Sequence, residues 1–379
     1  MEDKLKALLS AGNKENRTKW AKEWQKKGKK VIGVTDSLIP EEVIYAAGML
    51  PWRIQGTEQA DVSRAMTYQQ PQANTFITYV MESFLDGELD WLDGVVCSNR
   101  DEEFLRLWDL LQFLDKTPLV HLIDIPVTDL EITRQRFVGQ IRSFMGVLAK
   151  FGKVKVSDSS LRDAIVSYNK GRALLRKVYE LRKREVPPLS GGEALAITTA
   201  AMVMPRDEFN KELEELLPYL EKRKAKFSHT RPRLLLSSDL LDNPAYIDLV
   251  EETGCLVAMD DLDNGSRYFW EMVDSSIKDP AYALAVRYLK NKSPRMLDWY
   301  SQPESVVKWA REFDIDGILD LPDMHDYTRG IRKIFFERRL ENAGIPEMSF
   351  DRDYHLANVA QLKTRIGAFL ETLETKTKG

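Results

Sequence analysis

Residues 29–54, KKVIGVTDSLIPEEVIYAAGMLPWRI, constrain the fold of this chain more than any other stretch. Val31-Ile32-Gly33-Val34 is a short apolar run behind a Lys29-Lys30 pair, the pattern of a buried strand. Pro40 then opens a helix, at a position where its missing N–H would be unpaired anyway. Glu41 and Glu42 place negative charge on the positive end of the helix dipole. Val43, Ile44, Ala46 and Ala47 form the buried face, and Gly48 supplies a stop where φ can turn positive. Pro51-Trp52-Arg53-Ile54 reads as the next strand. Strand, loop, helix and strand in so short a span predict a parallel α/β unit. Loop residues 35–39 then fall at the carboxyl end of a strand, the edge where open α/β sheets bind ligands.

The alternation continues. Residues 75–84 are helical, 91–97 form a buried strand, 102–114 a helix with apolar Phe104, Leu105, Leu107, Trp108 and Leu111, and 119–123 a strand. Such alternation implies a parallel sheet with right-handed crossovers. Residues 130–227 change character to long helical periodicity, broken near Pro187-Pro188, Gly191-Gly192 and Pro205. Strands return at 232–238, 255–259, 316–321 and 346–350, and a helix over 361–374 closes the chain. Asp93-Gly94-Val95-Val96 and Asp316-Gly317-Ile318-Leu319 are alike, which suggests two similar halves. Residues 1–28 read as one amphipathic helix with a basic second half, either a solvated helix held by its Trp and Leu residues or a docking surface for an acidic partner or for nucleotide phosphates. The expected fold is α/β, with two doubly wound parallel-sheet domains (29–130 and 229–379), a helical N-terminal segment (1–28) and a helical insertion (131–228).

Length and composition set the limits. The 379 residues exceed one typical domain, and 43% apolar with 30% charged residues is ordinary for a soluble globular protein. A net charge of −4 argues against a general nucleic-acid binder. No apolar run reaches the ~18 residues of a membrane span. The first residues lack the apolar core of a signal peptide. Cys97 and Cys255 lie in strand-like apolar settings, and free thiols there fit a cytoplasmic protein. Two cysteines also cannot supply the four thiolates that an iron–sulfur cluster commonly takes.

No Ser-His-Asp order, P-loop, G-x-G-x-x-G or zinc-ligand spacing is present. His121, His229, His325 and His355 are scattered, and only His325 stands just after a strand end, beside Asp323 and Asp326. Acidic clusters follow three strand ends: Asp101-Glu102-Glu103, Asp260-Asp261-Leu262-Asp263, and Asp320 to Asp326. Helix N-capping explains many such Asp residues, and the other reading is a shared hard-ligand or acid–base site at the sheet edge. Gly265-Ser266-Arg267-Tyr268-Phe269 suits an anionic group, or else a surface turn with a packed Tyr-Phe pair. Ser37, Arg267 and Tyr268 are the candidate contacts for such a ligand.

The opening segment resembles the "IG…PEE…AAGM.P" start of the 2-hydroxyacyl-CoA dehydratase and benzoyl-CoA reductase superfamily. Residues 85–96, LDGELDWLDGVV, are similar to its "G.yD.LDGVV" segment. Asp260-Asp261-Leu262 with Gly265-Ser266-Arg267-Tyr268-Phe269 is similar to its "DDL..G.RYF" segment. Asp316-Gly317-Ile318, Gly344-Ile345-Pro346 and Lys363-Thr364-Arg365-Ile366 with Ala368-Phe369 resemble its closing segments. The likeness is greatest to the smaller subunit of these heterodimers.

The resemblance implies two α/β domains with added helices, and work on an acyl-CoA. In the family both subunits commonly hold a [4Fe-4S] cluster, each through three cysteines. An ATP-hydrolysing activator supplies one electron at low potential. The resulting ketyl radical lets the enzyme expel a hydroxyl from an acyl-CoA or reduce an aromatic ring. Here the three cysteine positions fall on Asn74, Asp101 and Asp326, the last beside His325, and no cysteine lies near them. No conventional cluster is therefore expected in this chain. Three readings follow. The chain is the cluster-free half of a heterodimer whose larger, homologous subunit holds the cluster. Or Asn74, Asp101 and Asp326 hold a hard metal, or act as acid–base groups, for a non-radical reaction on an acyl-CoA. Or the chain is a binding or assembly subunit without catalysis.

Overall fold

A computed structural model describes residues 1–57, 61–70, 73–225, 227, 231–291, 296–298, 301–355 and 358–377. His229 lies outside the described residues. The N-terminal segment is α1 (Glu2–Leu9) and α2 (Lys19–Lys26). A first α/β unit follows: β1 (Val31–Val34), α3 (Glu41–Ala46), β2 (Leu50–Arg53), α4 (Ser63–Met66), α5 (Thr75–Leu85), β3 (Gly94–Ser98), α6 (Glu102–Leu114) and β4 (Val120–Ile123). Four helices come next: α7 (Glu131–Gly152), α8 (Asp158–Glu180), α9 (Gly191–Ala201) and α10 (Arg206–Lys222). The second unit is β5 (Arg233–Ser237), α11 (Ala245–Glu251), β6 (Leu256–Asp261), α12 (Ser266–Phe269), α13 (Pro280–Leu289), α14 (Ser301–Glu312), β7 (Gly317–Asp320), α15 (Tyr327–Asn342), β8 (Glu347–Ser349) and α16 (Val359–Thr377).

Both sheets are parallel and share one strand order, β2-β1-β3-β4 and β6-β5-β7-β8. In each, the order reverses beside the central first strand, so each half has a topological switch point, between β1 and β3 and between β5 and β7. The two alike tetrapeptides lie at equivalent places, since Gly94 and Gly317 open β3 and β7. Gly317 must be small: a Cβ there would stand 2.7 Å from the Phe369 ring of α16.

Helices cover both faces of the sheets. Phe137, Ile141, Phe144 and Leu148 of α7, with Leu284 and Tyr288 of α13, pack on Ile32, Val34 and Val96 of the first sheet. On its other face lie Phe76, Val80 and Phe84 of α5, with Phe104 and Leu107 of α6. That second core runs on without a break through α1, α9 and α10 into Leu235, Met259 and Ile318 of the second sheet. The two halves thus share buried apolar surface, the main stabilising term in any such fold. Among the described residues no helix is long and apolar enough to cross a membrane.

The N-terminal segment corrects the sequence reading. It is two short helices rather than one, with turns between Leu9 and Lys19. Gly12 sits in that break against α9, where a Cβ would meet Thr199 Cγ2 at 2.4 Å. Leu5, Leu8, Ala11, Ala21 and Trp24 are buried by the fold-back. The break expected near Gly191-Gly192 is the start of α9. There Ser190 and Glu193 cap each other, hydroxyl to N–H and carboxylate to N–H, both at 3.0 Å.

Candidate functional site

A chain of buried charges joins the carboxyl edges of the two sheets. Thr35-Asp36-Ser37 follows β1, and Arg100 stands two residues past β3, both at the first switch point. From the second half come Asp239 after β5, Asp261 at the end of β6, and Asp263 just beyond. Asp263 is wholly buried. It accepts the Ser37 N–H (3.0 Å), the Ser37 hydroxyl (2.6 Å), Arg53 (3.2 Å) and Arg100 (2.8 Å). Burial opposes its ionisation, but Arg100, Arg53 and Ser37 outweigh burial and hold the carboxyl down at about 2.

The chain continues from Arg100 to Asp239, and from Asp239 to Arg267 at 3.1 Å. Arg267 grips both oxygens of Asp261 through Nε and Nη2, each at 2.7 Å. Arg329 pairs with Asp320 and donates to the Ser237 hydroxyl at 2.7 Å. At the first switch point Asp36 accepts the hydroxyls of Thr35 and Ser98, both at 2.8 Å. Burial raises the Asp36 carboxyl, Arg100 opposes this, and Asp263 adds to it.

Beside this chain stands a group of carboxyls whose protons are held unusually tightly. Asp101 caps α6 by accepting the Phe104 N–H at 3.0 Å, and Asp326 caps α15 by accepting the Arg329 N–H at 2.9 Å. Capping is therefore one thing both residues do. Burial pushes the Asp101 carboxyl far up; Arg100 opposes, while Glu103 and Asp326 reinforce. Asp326 is pushed up to about 6 by burial and by Asp239, against Arg329 and Arg100. Asp323 reaches about 7 through burial, with Arg352 opposing and Asp239, Asp326 and Asp242 adding. Carboxyls that titrate near neutrality can give and take protons, and they concentrate at functional sites. The family resemblance singles out Asp101 and Asp326, one in each half, and the fold brings them within electrostatic reach of each other.

The other sequence candidates divide. Asn74 is the N-cap residue of α5, and its buried Oδ1 has no hydrogen-bond partner among the described residues. The starts of α5 and α6 adjoin, since the Phe76 and Phe104 rings stack at 6.4 Å. Asn74, Asp101 and Asp326, the positions that the resemblance assigns to cysteines, are all helix N-cap residues. His325 adjoins the third cap and is half-buried, with a left-handed φ of 69°. Ser37 and Arg267 are engaged within the ionic chain described above. Tyr268 donates to Glu41 at 2.7 Å and accepts from Arg206. The surface turn considered for 265–269 is instead the buried helix α12. Glu41 and Glu42 do more than meet a helix dipole. Both are buried and paired, Glu41 with Arg53 at 3.5 Å and Glu42 with Arg172. His121 stacks on Phe144 at 5.0 Å, and His355 packs edge-on against Tyr79 at 4.4 Å.

Sequence reasoning misses Arg100, Arg53 and Asp239, the residues that tie the halves together. Their only local signal is a charge at or just past a strand end, and their partners are remote in sequence. A cavity of about 770 Å³ lies elsewhere, between the α1–α2 turn, α9 and both halves, with Trp52, Gln55, Glu193, Asp242 and Tyr354 in its walls. Neither Asp101 nor Asp326 lines it.

The residues present do not fit an iron–sulfur cluster. Cys97 lies in β3 and Cys255 directly precedes β6, so they belong to different sheets, and both are buried and free. Burial pushes the Cys255 thiol up to about 12 and the Cys97 thiol higher still. Two carboxyls and an amide are hard oxygen donors, unlike the thiolates that hold iron–sulfur clusters. Among the described residues no group of three or more His, Cys, Asp or Glu side chains is arranged to hold a metal ion.

Comparison with known proteins accounts for the architecture. The chain is 25% identical over 358 residues to the beta subunit of (R)-2-hydroxyglutaryl-CoA dehydratase of Acidaminococcus fermentans, covering 92% of this chain and 94% of that one. It is 24% identical over 364 residues to the (R)-phenyllactyl-CoA dehydratase beta subunit of Clostridium sporogenes, covering 93% and 94%. It is 22% identical over 365 residues to one of the benzoyl-CoA reductase subunits of Thauera aromatica, again covering 93% and 94%. The family pattern described as "2-hydroxyglutaryl-CoA dehydratase, D-component" matches residues 37–373, nearly the full length, and the chain belongs to that family.

Proposed function

We propose that this chain is the cluster-free subunit of a complex that acts on an acyl-CoA thioester, by dehydrating a 2-hydroxyacyl group or reducing the acyl group. The relatives are named as subunits of such enzymes. One observation carries the cluster-free part of the reading. The only two cysteines of the chain are buried, Cys97 in β3 and Cys255 just before β6 of the other sheet, and by the resemblance Asn74, Asp101 and Asp326 would take the places of the family's thiolates.

In this reading the partner is a homologous, larger subunit that holds a [4Fe-4S] cluster, charged by an ATP-dependent activator in the cytoplasm. The cluster supplies the electron. This chain supplies the rigid edge formed by the Arg100–Asp263–Asp239–Arg267 chain, the Asp323 and Asp326 carboxyls, which can move protons near neutral pH, and beside them the Asp101 carboxyl, which burial pushes far up. The test is purification without oxygen, alone and together with the companion chain, with iron, sulfide and the visible spectrum recorded. A colourless, iron-free chain and a brown pair support the reading. Iron and sulfide in the chain alone would overturn it.

A second reading rests on the mutual influence of Asp101 and Asp326. The pair would act as general acid and base in a non-radical reaction on an acyl-CoA. The chain by itself would then turn over a 2-hydroxyacyl-CoA without ATP or reductant, and Asp326→Asn would abolish that turnover.

A further inference from the structure

The cavity of about 770 Å³ between the α1–α2 turn, α9 and both halves takes no part in the chemistry proposed above. Its volume falls within the range of about 300–1,000 Å³ that small-molecule sites occupy. Asp242, past the end of β5, stands in its wall and is 8% exposed. The Tyr354 hydroxyl donates to Asp242 Oδ2 at 3.0 Å. Among the described residues no other side chain donates to this carboxyl, and no Lys or Arg forms an ion pair with it. The two guanidinium groups whose charge it feels are spent elsewhere. Arg17 donates to Gln55 and to the Arg53 carbonyl, and Arg352 holds Asp323 and the Leu240 carbonyl. Burial pushes the Asp242 carboxyl up, and Tyr354, Arg17 and Arg352 oppose this without cancelling it. A buried carboxyl is normally paired with a cation, and this one instead turns Oδ1 to a cavity.

The other charges of the lining set the sign of what can enter. Glu15, Glu88 and Asp248 are exposed at its open side, and Glu193 is matched by Arg223 at 3.1 Å. The cations among the described lining residues are Lys14 and Arg17, so carboxylates outnumber them. A cleft lined mainly by one sign of charge concentrates ligands of the other. A CoA thioester, with its phosphates, is the wrong sign for these walls. A bare metal ion is wrong in geometry, because among the described residues no three His, Cys, Asp or Glu side chains are arranged to hold one. Between the carboxylates lie Leu9, Leu89, Ala196 and the half-buried Trp91, which offer apolar surface to a methylene stem and an aromatic ring to a cation.

We propose that this cavity is a second small-molecule site, and that it takes an aliphatic di- or polyamine. One ammonium group sits on Asp242 Oδ1, the stem lies along the apolar wall, and a further ammonium group is held by the carboxylates at the open side. Separate carboxylates joined by apolar surface suit a cation whose charges are spaced along a chain, where a metal ion needs them converged. The occupant touches both halves, since Glu88 belongs to the first and Asp242 and Asp248 to the second. Binding therefore stabilises the arrangement of the halves, because a ligand of the folded state adds to its stability. The site is separate from Asp101 and Asp326, and the inference stands or falls apart from the subunit reading.

The test is calorimetric titration of the full chain at low salt with putrescine and with spermidine, and with magnesium chloride and CoA as comparisons. Wild type, Asp242→Asn, Glu88→Gln/Asp248→Asn and Glu180→Gln are compared, with thermal melts to establish that each folds. Asn at 242 keeps an acceptor for the Tyr354 hydroxyl, and Glu88 and Asp248 are exposed, so the double variant tests the site even if Asp242→Asn does not fold. Glu180 ends α8, pairs with Lys183 at 2.8 Å and lies outside the cavity, so it serves as the control. The expected result is one saturable amine site per chain, a loss of affinity of at least tenfold in Asp242→Asn, a smaller loss in the double variant and none in Glu180→Gln. Wild type that takes up neither amine at millimolar concentration would overturn the site. So would equal affinity in wild type, Asp242→Asn and the double variant, which is the mark of general attraction to an acidic protein. Tighter binding of magnesium than of spermidine, or displacement of spermidine by CoA, would show the proposed ligand class to be wrong.

Discussion

Ser37 and Asp263 meet across the two halves of the chain, the Ser37 backbone N–H and hydroxyl both donating to one buried carboxylate at 3.0 and 2.6 Å. Ser37 sits where an open α/β sheet usually offers its first loop to a ligand. Here the other half of the same chain fills that place. Asn291 adds a third contact by donating to the Ser37 hydroxyl at 3.3 Å. The first switch point is thereby part of the scaffold, and the protonatable carboxyls Asp101, Asp323 and Asp326 flank it.

Replacing Asp263 by Asn removes the charge that Arg53 and Arg100 share, and leaves both guanidinium groups buried without it. Breaking a buried pair in this way costs about 3–5 kcal/mol. The loss depends on pH with a definite sign. The folded carboxyl is held near 2, below the ordinary value, so its stabilising effect is present above about pH 4 and disappears as pH falls toward 2. Urea unfolding at pH 7 and pH 3 should therefore show a large deficit for Asp263→Asn at pH 7 and a smaller one at pH 3. An equal deficit at both values would mean that charge is not what Asp263 contributes.

Asp326→Asn should behave the opposite way. Asn caps a helix about as well as Asp, so the Arg329 N–H keeps an acceptor. The folded carboxyl is raised to about 6, so the native state holds the proton more tightly than the unfolded chain. Wild-type stability from this residue is then intact below about pH 4 and falls as pH rises through 6. The variant is spared that loss. It should be about 1–3 kcal/mol more stable than wild type at pH 8 and no more stable at pH 4. A stabilised protein that has also lost activity would mark Asp326 as a residue kept for function at the expense of stability.

Cys97 and Cys255 should not react with a thiol reagent in the native protein. Both are wholly buried and both thiols are shifted upward by burial, so little thiolate exists and none is accessible. Titration with a chromogenic disulfide should find no fast thiol in buffer and two in guanidinium chloride. One fast native thiol would place that cysteine at the surface and reopen the question of a sulfur ligand.

How much is legible in the sequence follows the range of the interactions. Helix α6 is legible to the residue, because Asp101, the apolar spacing and the polar stop are all local. The strands are legible to within a few residues for the same reason. The N-terminal break is not, because it depends on Thr199 of α9 packing on Gly12, a contact between residues remote in sequence. The role of Arg267 is hidden in a similar way. Its near partner Asp261 is visible in the DDLDNGSRYF segment, but Asp239 and Ser238 come from the exit of another strand. A sequence displays a cluster of acids. It does not display which arginines, from which half, neutralise them.

Arg267→Ala tests that last point directly. Nε and Nη2 grip Asp261, Nη1 reaches Asp239 at 3.1 Å, and Nη2 also approaches the Ser238 carbonyl at 3.3 Å. Burial disfavours the Asp261 carboxylate, and Arg267 is the main group that holds it below the usual range. Removing the guanidinium leaves a wholly buried carboxylate with Gln302 and Ser237 as its side-chain donors. The expected cost is about 3–5 kcal/mol in urea unfolding at pH 7. Arg267→Lys should recover only part of it, because an ammonium carries the charge without the two-pronged geometry. The alternative is that Arg267 faces an anionic ligand. Its removal would then leave unfolding unchanged and weaken acyl-CoA binding, and that pairing of results would move Arg267 from the scaffold to the site.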